Sequence, residues 1–218
     1  MEHKALEIGK LIKVCGMREA SNIAELSHLQ IDFMGFILYP KSPRYVFKTL
    51  GAIRTNLPKR IKKTAVSVNL SANLLIDIAY EFNFSALQVH GTESAKYCRQ
   101  LKNALPEIKI FKAIGVDANF DFKPLNDFES EVDYFLFDTK SDEYGGTGKK
   151  FSWHVLDNYE LGKPFFLSGG INLEDIDALK LFNHPQCAGF DINSRFEISP
   201  ALKNIELVRK FVENINEL

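Results

Sequence analysis

Eight short apolar runs recur along the chain, each followed by a helix-like or irregular segment, at spacings of roughly 20 to 30 residues. Strands alternating with helices imply a parallel sheet with helices outside. Eight such units in 218 residues favour a closed ring over an open sheet. The sequence therefore predicts an α/β fold, a (β/α)8 TIM barrel. No linker, low-complexity tract or composition break divides the chain, so one domain is expected over 1–218, with the barrel proper at about 11–215.

The strand candidates are Leu11–Cys15, Phe33–Leu38, Thr64–Val68, Ala86–His90, Lys109–Ala113, Tyr134–Phe137, Phe165–Leu167 and Ala188–Phe190. Helical spacing is read at Glu19–Leu26, with Ala20, Ile23 and Leu26 on one face, and at Thr49–Leu57. Ser71 reads as the N-cap of a helix through Leu74, Leu75, Ile78 and Phe82. Further helices are expected at Ser94–Leu105 and Leu173–Phe182. The segment Asp117–Glu129 is weakly helical, and Trp153–Asn158 starts at most a short helix. Ser199-Pro200 reads as an N-cap and first-turn pair opening an amphipathic helix over Ala201–Ile215.

Composition narrows the function classes. Hydrophobic residues make up 45% and charged residues 25%, ordinary for a soluble globular protein. A net charge of -1 gives no broad basic face, so no nucleic-acid partner is expected. No apolar run approaches the roughly 20 residues that span a bilayer, and the first residues lack the apolar core of a secretory signal; no membrane association is expected. Cys15, Cys98 and Cys187 are odd in number and far apart, which argues against disulfides and a CxxC metal site and fits a reducing cytoplasm. No metal or cofactor is expected: nothing has metal-ligand spacing, and neither a GxGxxG nor a Walker sequence is present.

In such a barrel, chemistry sits at the C-terminal ends of the strands. Those ends carry Cys15-Gly16, Asn69, Gln88 with His90, Asp138, Ser168-Gly169-Gly170 and Asp191 with Asn193-Ser194. Asp138 stops an apolar run and precedes a polar loop holding Gly145, Gly146 and Gly148. That pattern suits an active-site acid with a flexible cover; it equally suits a turn cap beside a surface loop. Ser168-Gly169-Gly170 and Asn193-Ser194 leave the seventh and eighth strands, where barrels of this kind cradle phosphate with backbone N–H groups. Cys15 is either a structural cysteine or a thiolate base facing Asp138. Lys13 shares the parity of Cys15, so it enters the barrel and needs a partner, which the sequence does not name. Arg44 follows Ser42-Pro43 on a stiffened loop and suits bidentate capture of a carboxylate, or is a solvated loop arginine. Gln88, His90 and Asp191 are read as lining residues.

These residues resemble the phosphoribosylanthranilate isomerase family. Lys13-Val-Cys15-Gly16 is similar to the family's KICG-type opening. The segment from Asp32 through Tyr39-Pro40-Lys-Ser42-Pro43-Arg44-Tyr45-Val46 is close to its GADALGFVFYPKSPRYV type. Leu87-Gln88-Val-His90-Gly91-Thr-Glu93-Ser94 resembles QLHGDES, and Asp138-Thr-Lys with Tyr144-Gly-Gly-Thr-Gly148-Lys resembles DTK…GGTGK. Leu167-Ser-Gly-Gly170-Ile-Asn172 resembles LSGGLNP. The match runs in order from about Leu11 to Ile215; SPRYV and GGTGK together make it specific. One departure falls after Asp191-Ile-Asn193-Ser194, where Arg195-Phe196-Glu197 replaces the family's Gly-Val-Glu and bears on the last phosphate contacts.

The resemblance implies an aldose-ketose isomerase of tryptophan biosynthesis. It would carry out the Amadori rearrangement of N-(5-phosphoribosyl)anthranilate to 1-(2-carboxyphenylamino)-1-deoxyribulose 5-phosphate. By carry-over Asp138 is the general acid and Cys15 the general base. Arg44 holds the anthranilate carboxylate, Gly145 and Gly146 belong to a closing loop, and Gly169, Gly170, Asn193 and Ser194 bind phosphate. No cofactor is implied, the partner is the small-molecule substrate, and the protein is expected as a monomer or homodimer in the cytoplasm. A rival reading is another phosphate-binding barrel, such as indole-glycerol-phosphate synthase, whose chemistry wants a lysine where the first strand here ends in Cys15. A binding-only barrel is the other rival, and it would tolerate loss of Cys15.

Overall fold

The computed structural model describes residues 9–48, 53–140 and 151–217. Its centre is a closed barrel of eight parallel strands in sequential order. They are β1 (Leu11–Val14), β2 (Phe33–Ile37), β3 (Lys62–Ser67), β4 (Ala86–Val89), β5 (Lys109–Val116), β6 (Tyr134–Thr139), β7 (Phe165–Leu167) and β8 (Cys187–Ile192). β1 pairs with both β2 and β8, and this double pairing closes the ring. Every expected strand is present. β5 and β8 run longer than the apolar runs that marked them, and the extension of β8 carries Asp191.

Inside the ring, parity sorts the side chains. Phe33, Phe111, Leu136 and Phe166 form an interior cluster with Ala86 and Ala113. Phe33 and Phe111 meet edge to face at 5.1 Å, and Phe111 and Phe166 at 5.2 Å. Such pairs add about 0.5–1.5 kcal/mol each beyond the area they bury. This aromatic plug fills the barrel below the mouth. The opposite strand faces join a larger core with the surrounding helices, including Ile12, Met34, Phe135, Phe137, Phe165, Phe190 and Phe211.

The outer helices are α1 (Ala20–Leu26), α2 (Ala72–Glu81), α3 (Ala95–Ala104), α4 (Ile176–Leu181) and α5 (Ile205–Asn216). Ser71 caps α2 by accepting from the Leu74 N–H, and Ser94 caps α3 by accepting from the Tyr97 N–H. Among the described residues, the connections after β5 and β6 carry 3-10 helices, Lys123–Phe128 and Trp153–Asn158, in place of α-helices.

Two expectations are corrected. The helix read over 49–57 lies partly outside the described residues, and Thr55–Leu57 are not helical. The terminal helix does not start at Ala201. Glu197–Ser199 (β9) and Leu202–Lys203 (β10) form an antiparallel hairpin whose bend places Ala201 at φ 73°. Asn204 then caps α5, accepting from the Leu207 N–H. Ser199-Pro200 looked like a cap in sequence, but in the hairpin the Ala201 N–H donates to the Glu197 carboxylate at 3.0 Å and the chain turns back to the mouth. The loop glycines Gly145, Gly146 and Gly148 lie outside the described residues.

Candidate active site

The mouth is built on a buried ion pair. Lys13 on β1 and Asp191 on β8 are paired in register, and the lysine donates to Asp191 Oδ1 at 2.9 Å. This is the partner that Lys13 required. Burial works against the Lys13 charge; Asp191, then Cys15 beside it, outweigh that and hold the ammonium above the ordinary lysine range. Burial pushes the Asp191 carboxyl up, against the pull of Lys13.

Cys15 follows β1, two residues beyond Lys13, and is 4% exposed. Its Sγ occupies space that Gly35 leaves on β2: a Cβ at 35 would stand 2.7 Å from the sulfur. Burial raises the thiol, while the Lys13 and Lys203 ammoniums pull it back down. Asp138 ends β6 across the ring. Its Oδ1 accepts from the Thr139 N–H at 2.8 Å, and burial lifts the carboxyl to about 6 against that bond. Gly169 makes this possible, because a Cβ there would stand 2.5 Å from Thr139 Oγ1 and 3.0 Å from Asp138 Oδ1. Its φ of 91°, with 68° at Gly170, already favours glycine.

His90 lies between these groups. Its Nε2 is 3.7 Å from Asp138 Oδ2, and Gln88 Nε2 contacts its Nδ1 at 3.0 Å. Burial, then the nearby Lys112 and Lys13 ammoniums, lower the imidazole to about 4, so it is neutral at physiological pH. An amide N–H on Nδ1 makes that nitrogen the acceptor and leaves the proton on Nε2, facing Asp138. Lys112 is itself held by Glu93 Oε2 at 3.1 Å and the Gly91 carbonyl at 2.7 Å. Glu93 also accepts from the Asn69 and Gly91 N–H groups. Asn69, which ends a strand run, is therefore a loop clasp.

The expected phosphate groups cluster after β7 and β8. Ser194 opens a 3-10 turn, Ser194–Phe196, and Asn193 Oδ1 accepts from Lys203 Nζ at 2.8 Å. Arg44 is buried, and its Nε and Nη2 form a two-point pair with Glu197, closest at 2.7 Å. Glu197, Lys203, Lys112 and Glu93 went unread in the sequence as site-building residues. Glu197 carried a signal as the glutamate of the quoted Gly-Val-Glu position. Lys203 carried none, because it was read as part of a helix. Among the described residues no group of three or more His, Cys, Asp or Glu side chains is placed to hold a metal ion.

A family model described as N-(5'phosphoribosyl)anthranilate (PRA) isomerase matches residues 12–214. The chain belongs to the phosphoribosylanthranilate isomerase family. It is 40% identical over 207 residues to an N-(5'-phosphoribosyl)anthranilate isomerase of Parabacteroides distasonis, covering 94% of this chain and 93% of that one. A second relative with the same name, from Phocaeicola vulgatus, is 39% identical, covering 95% and 98%. The crystal structure of phosphoribosyl anthranilate isomerase from Thermotoga maritima superposes with a TM-score of 0.83 at 28% identity, over 96% of this chain and all of that one. A phosphoribosyl anthranilate isomerase in complex with reduced 1-(o-carboxyphenylamino)-1-deoxyribulose 5-phosphate gives 0.81 at 25% identity, with the same coverage. Membership in the phosphoribosylanthranilate isomerase family makes the chain an enzyme, an isomerase built on the expected barrel. No helix among the described residues is long and apolar enough to cross a membrane.

Proposed function

We propose that Cys15 is the general base and Asp138 the general acid that isomerise N-(5'-phosphoribosyl)anthranilate to 1-(2-carboxyphenylamino)-1-deoxyribulose 5-phosphate. The observation that carries this is a buried carboxyl and a buried thiol brought to one mouth, with ammonium groups beside the thiol. A carboxyl lifted to about 6 keeps roughly a tenth of its protons at pH 7, enough to serve as an acid. Burial raises the thiol, and the Lys13 and Lys203 ammoniums draw it back towards the thiolate that acts as base.

Asp138 protonates the ribose ring oxygen, and the C1–O bond breaks as the nitrogen lone pair forms the Schiff base. The Cys15 thiolate takes the C2 proton, and that electron pair gives the enolamine. Return of a proton to C1 and loss of the O2 proton yield the ketone. The steps balance with proton transfers alone and invoke no cofactor. The neutral His90 offers its Nε2–H to the Asp138 carboxylate left after the first transfer.

Gly169, Gly170, Asn193 and Ser194 bind the phosphate, and the two glycines, at φ 91° and 68°, carry no side chain to block its approach to the backbone. Arg44, oriented by Glu197, receives the anthranilate carboxylate. Gln88, His90 and Asp191 line the cavity, and Gly145 and Gly146 belong to the cover. The chain works as one domain, in the cytoplasm, as a monomer or homodimer, on this small molecule and without nucleic-acid or membrane partners. Generating phosphoribosylanthranilate in situ and following its fluorescence tests the activity. Rapid decay with purified protein supports it; decay at the spontaneous rate overturns it.

A further inference from the structure

The geometry points to Lys203 as a positioning residue that draws the buried Cys15 thiol towards its thiolate form. This rests on the proposed role of Cys15 as the base. Lys203 reaches the mouth from β10, the hairpin strand that replaces the expected start of the terminal helix, and is 1% exposed. Its ammonium donates to Glu197 Oε1 at 2.6 Å and Asn193 Oδ1 at 2.8 Å. The third N–H has no partner among the described residues, and Nζ lies beside Gly16: a Cβ there would stand 3.4 Å from it. The cation is thus fixed over the backbone next to Cys15.

Charge balance says why Lys203 acts on the thiol in addition to Lys13, the stronger influence. Around Cys15 stand Lys13 from β1, Asp191 from β8, Lys203 from β10, Glu197 from β9, Arg44 beyond Glu197, and, across the mouth, the neutral His90 and Asp138, which adds no charge in the protonated form that serves as acid. Gly35 from β2 adds no charge. Lys13 and Asp191 neutralise each other. Glu197 faces two cations, Arg44 and Lys203, so that trio keeps one positive charge. A thiolate at Cys15 brings the buried cluster to neutrality; a thiol leaves an uncompensated charge out of water. Burial lowers Lys203 to about 8, with Glu197 opposing, so the ammonium persists at neutral pH.

The alternative is that Lys203 only pins the hairpin to the barrel. Alkylation of Cys15 by iodoacetamide, followed against pH and assigned to its peptide by mass spectrometry, separates the two. Lys203→Met and Lys203→Gln should raise the midpoint of Cys15 alkylation by about one pH unit. Alkylation below the midpoint then slows about tenfold. The limb of the kcat/KM profile that belongs to Cys15 ionisation should move with it. Lys203→Arg should restore both. Lys203→Gln keeps a hydrogen-bonding group towards Asn193 and Glu197, so it decides the matter if the methionine variant does not fold. An unchanged midpoint in Lys203→Gln, whatever its Tm, overturns the inference. Full turnover by Cys15→Ser would instead sink the role of Cys15 and leave the alkylation result standing on its own.

Discussion

Replacing Asp138 with asparagine should make the protein more stable at the pH where it works. The folded state lifts this carboxyl from an ordinary 3.8 to about 6, chiefly by burial. A carboxyl raised on folding binds its proton more tightly in the native state. Its favourable contribution is complete below pH 3.8 and is lost as pH rises through 6. A rise of about two pH units corresponds to roughly 3 kcal/mol, at about 1.4 kcal/mol each. The side chain is only 18% exposed, so solvent screening removes little of this. Asparagine is neutral at every pH and its Oδ1 can still accept from the Thr139 N–H. At pH 8 the variant should gain up to about 3 kcal/mol, a Tm rise of roughly 6–12 °C for a domain of this size. Near pH 3.5, where the wild-type carboxyl is protonated in both states, the difference should shrink towards zero. Urea unfolding of both proteins across that range measures it. A variant less stable at pH 8, or a difference that does not change with pH, would refute the reasoning and with it the raised pKa that makes Asp138 an acid. The expected gain is the stability given up to hold an acid ready.

Other perturbations act on neighbouring parts of the same design. Lys13→Met leaves Asp191 buried without its partner and should cost about 3–5 kcal/mol in chemical denaturation; adding Asp191→Leu should recover most of it. Phe111→Ala opens the aromatic plug and should cost about 3–5 kcal/mol, with KM little changed because the plug lies below the mouth. Glu197→Gln releases the charge that orients Arg44, so KM should rise about tenfold or more while the protein stays folded by circular dichroism. Gly169→Ala forces a Cβ to within 2.5 Å of Thr139 Oγ1 at a φ of 91°; both Tm and kcat should fall, and an unchanged kcat would show that Asp138 tolerates being pushed.

The barrel was legible because its strands are buried on both faces and read as unbroken apolar runs, Phe135–Phe137 and Phe165–Leu167 above all. Ser71 and Ser94 announced their helices through side chains that satisfy backbone N–H groups. The 3-10 turns after β5 and β6 were poorly legible, because six residues with two or three apolar contacts carry no helical period. The hairpin was misread because Ser199-Pro200 is a good local cap; the contacts that override it, from Glu197 and Lys203 to Arg44 and Asn193, come from far along the chain. Rim positions were visible from strand ends and parity, which placed Cys15, Gln88, His90, Asp138 and Asp191. What parity cannot supply is the partner. Asp191 lies 178 residues from Lys13, and Glu197 lies 153 from Arg44. Gly169 was read for phosphate, and the structure adds a second reason, the room it leaves for the Asp138 carboxylate.

Turnover of phosphoribosylanthranilate by Cys15→Ser and Asp138→Asn, each beside wild type at saturating substrate, tests the central claim most directly. A positioned base and a positioned acid typically contribute 10²–10⁴-fold each, so each variant should lose at least about a hundredfold in kcat while still binding the product analogue. Turnover within a few fold of wild type in either variant would contradict the assignment of that residue to the proton transfers.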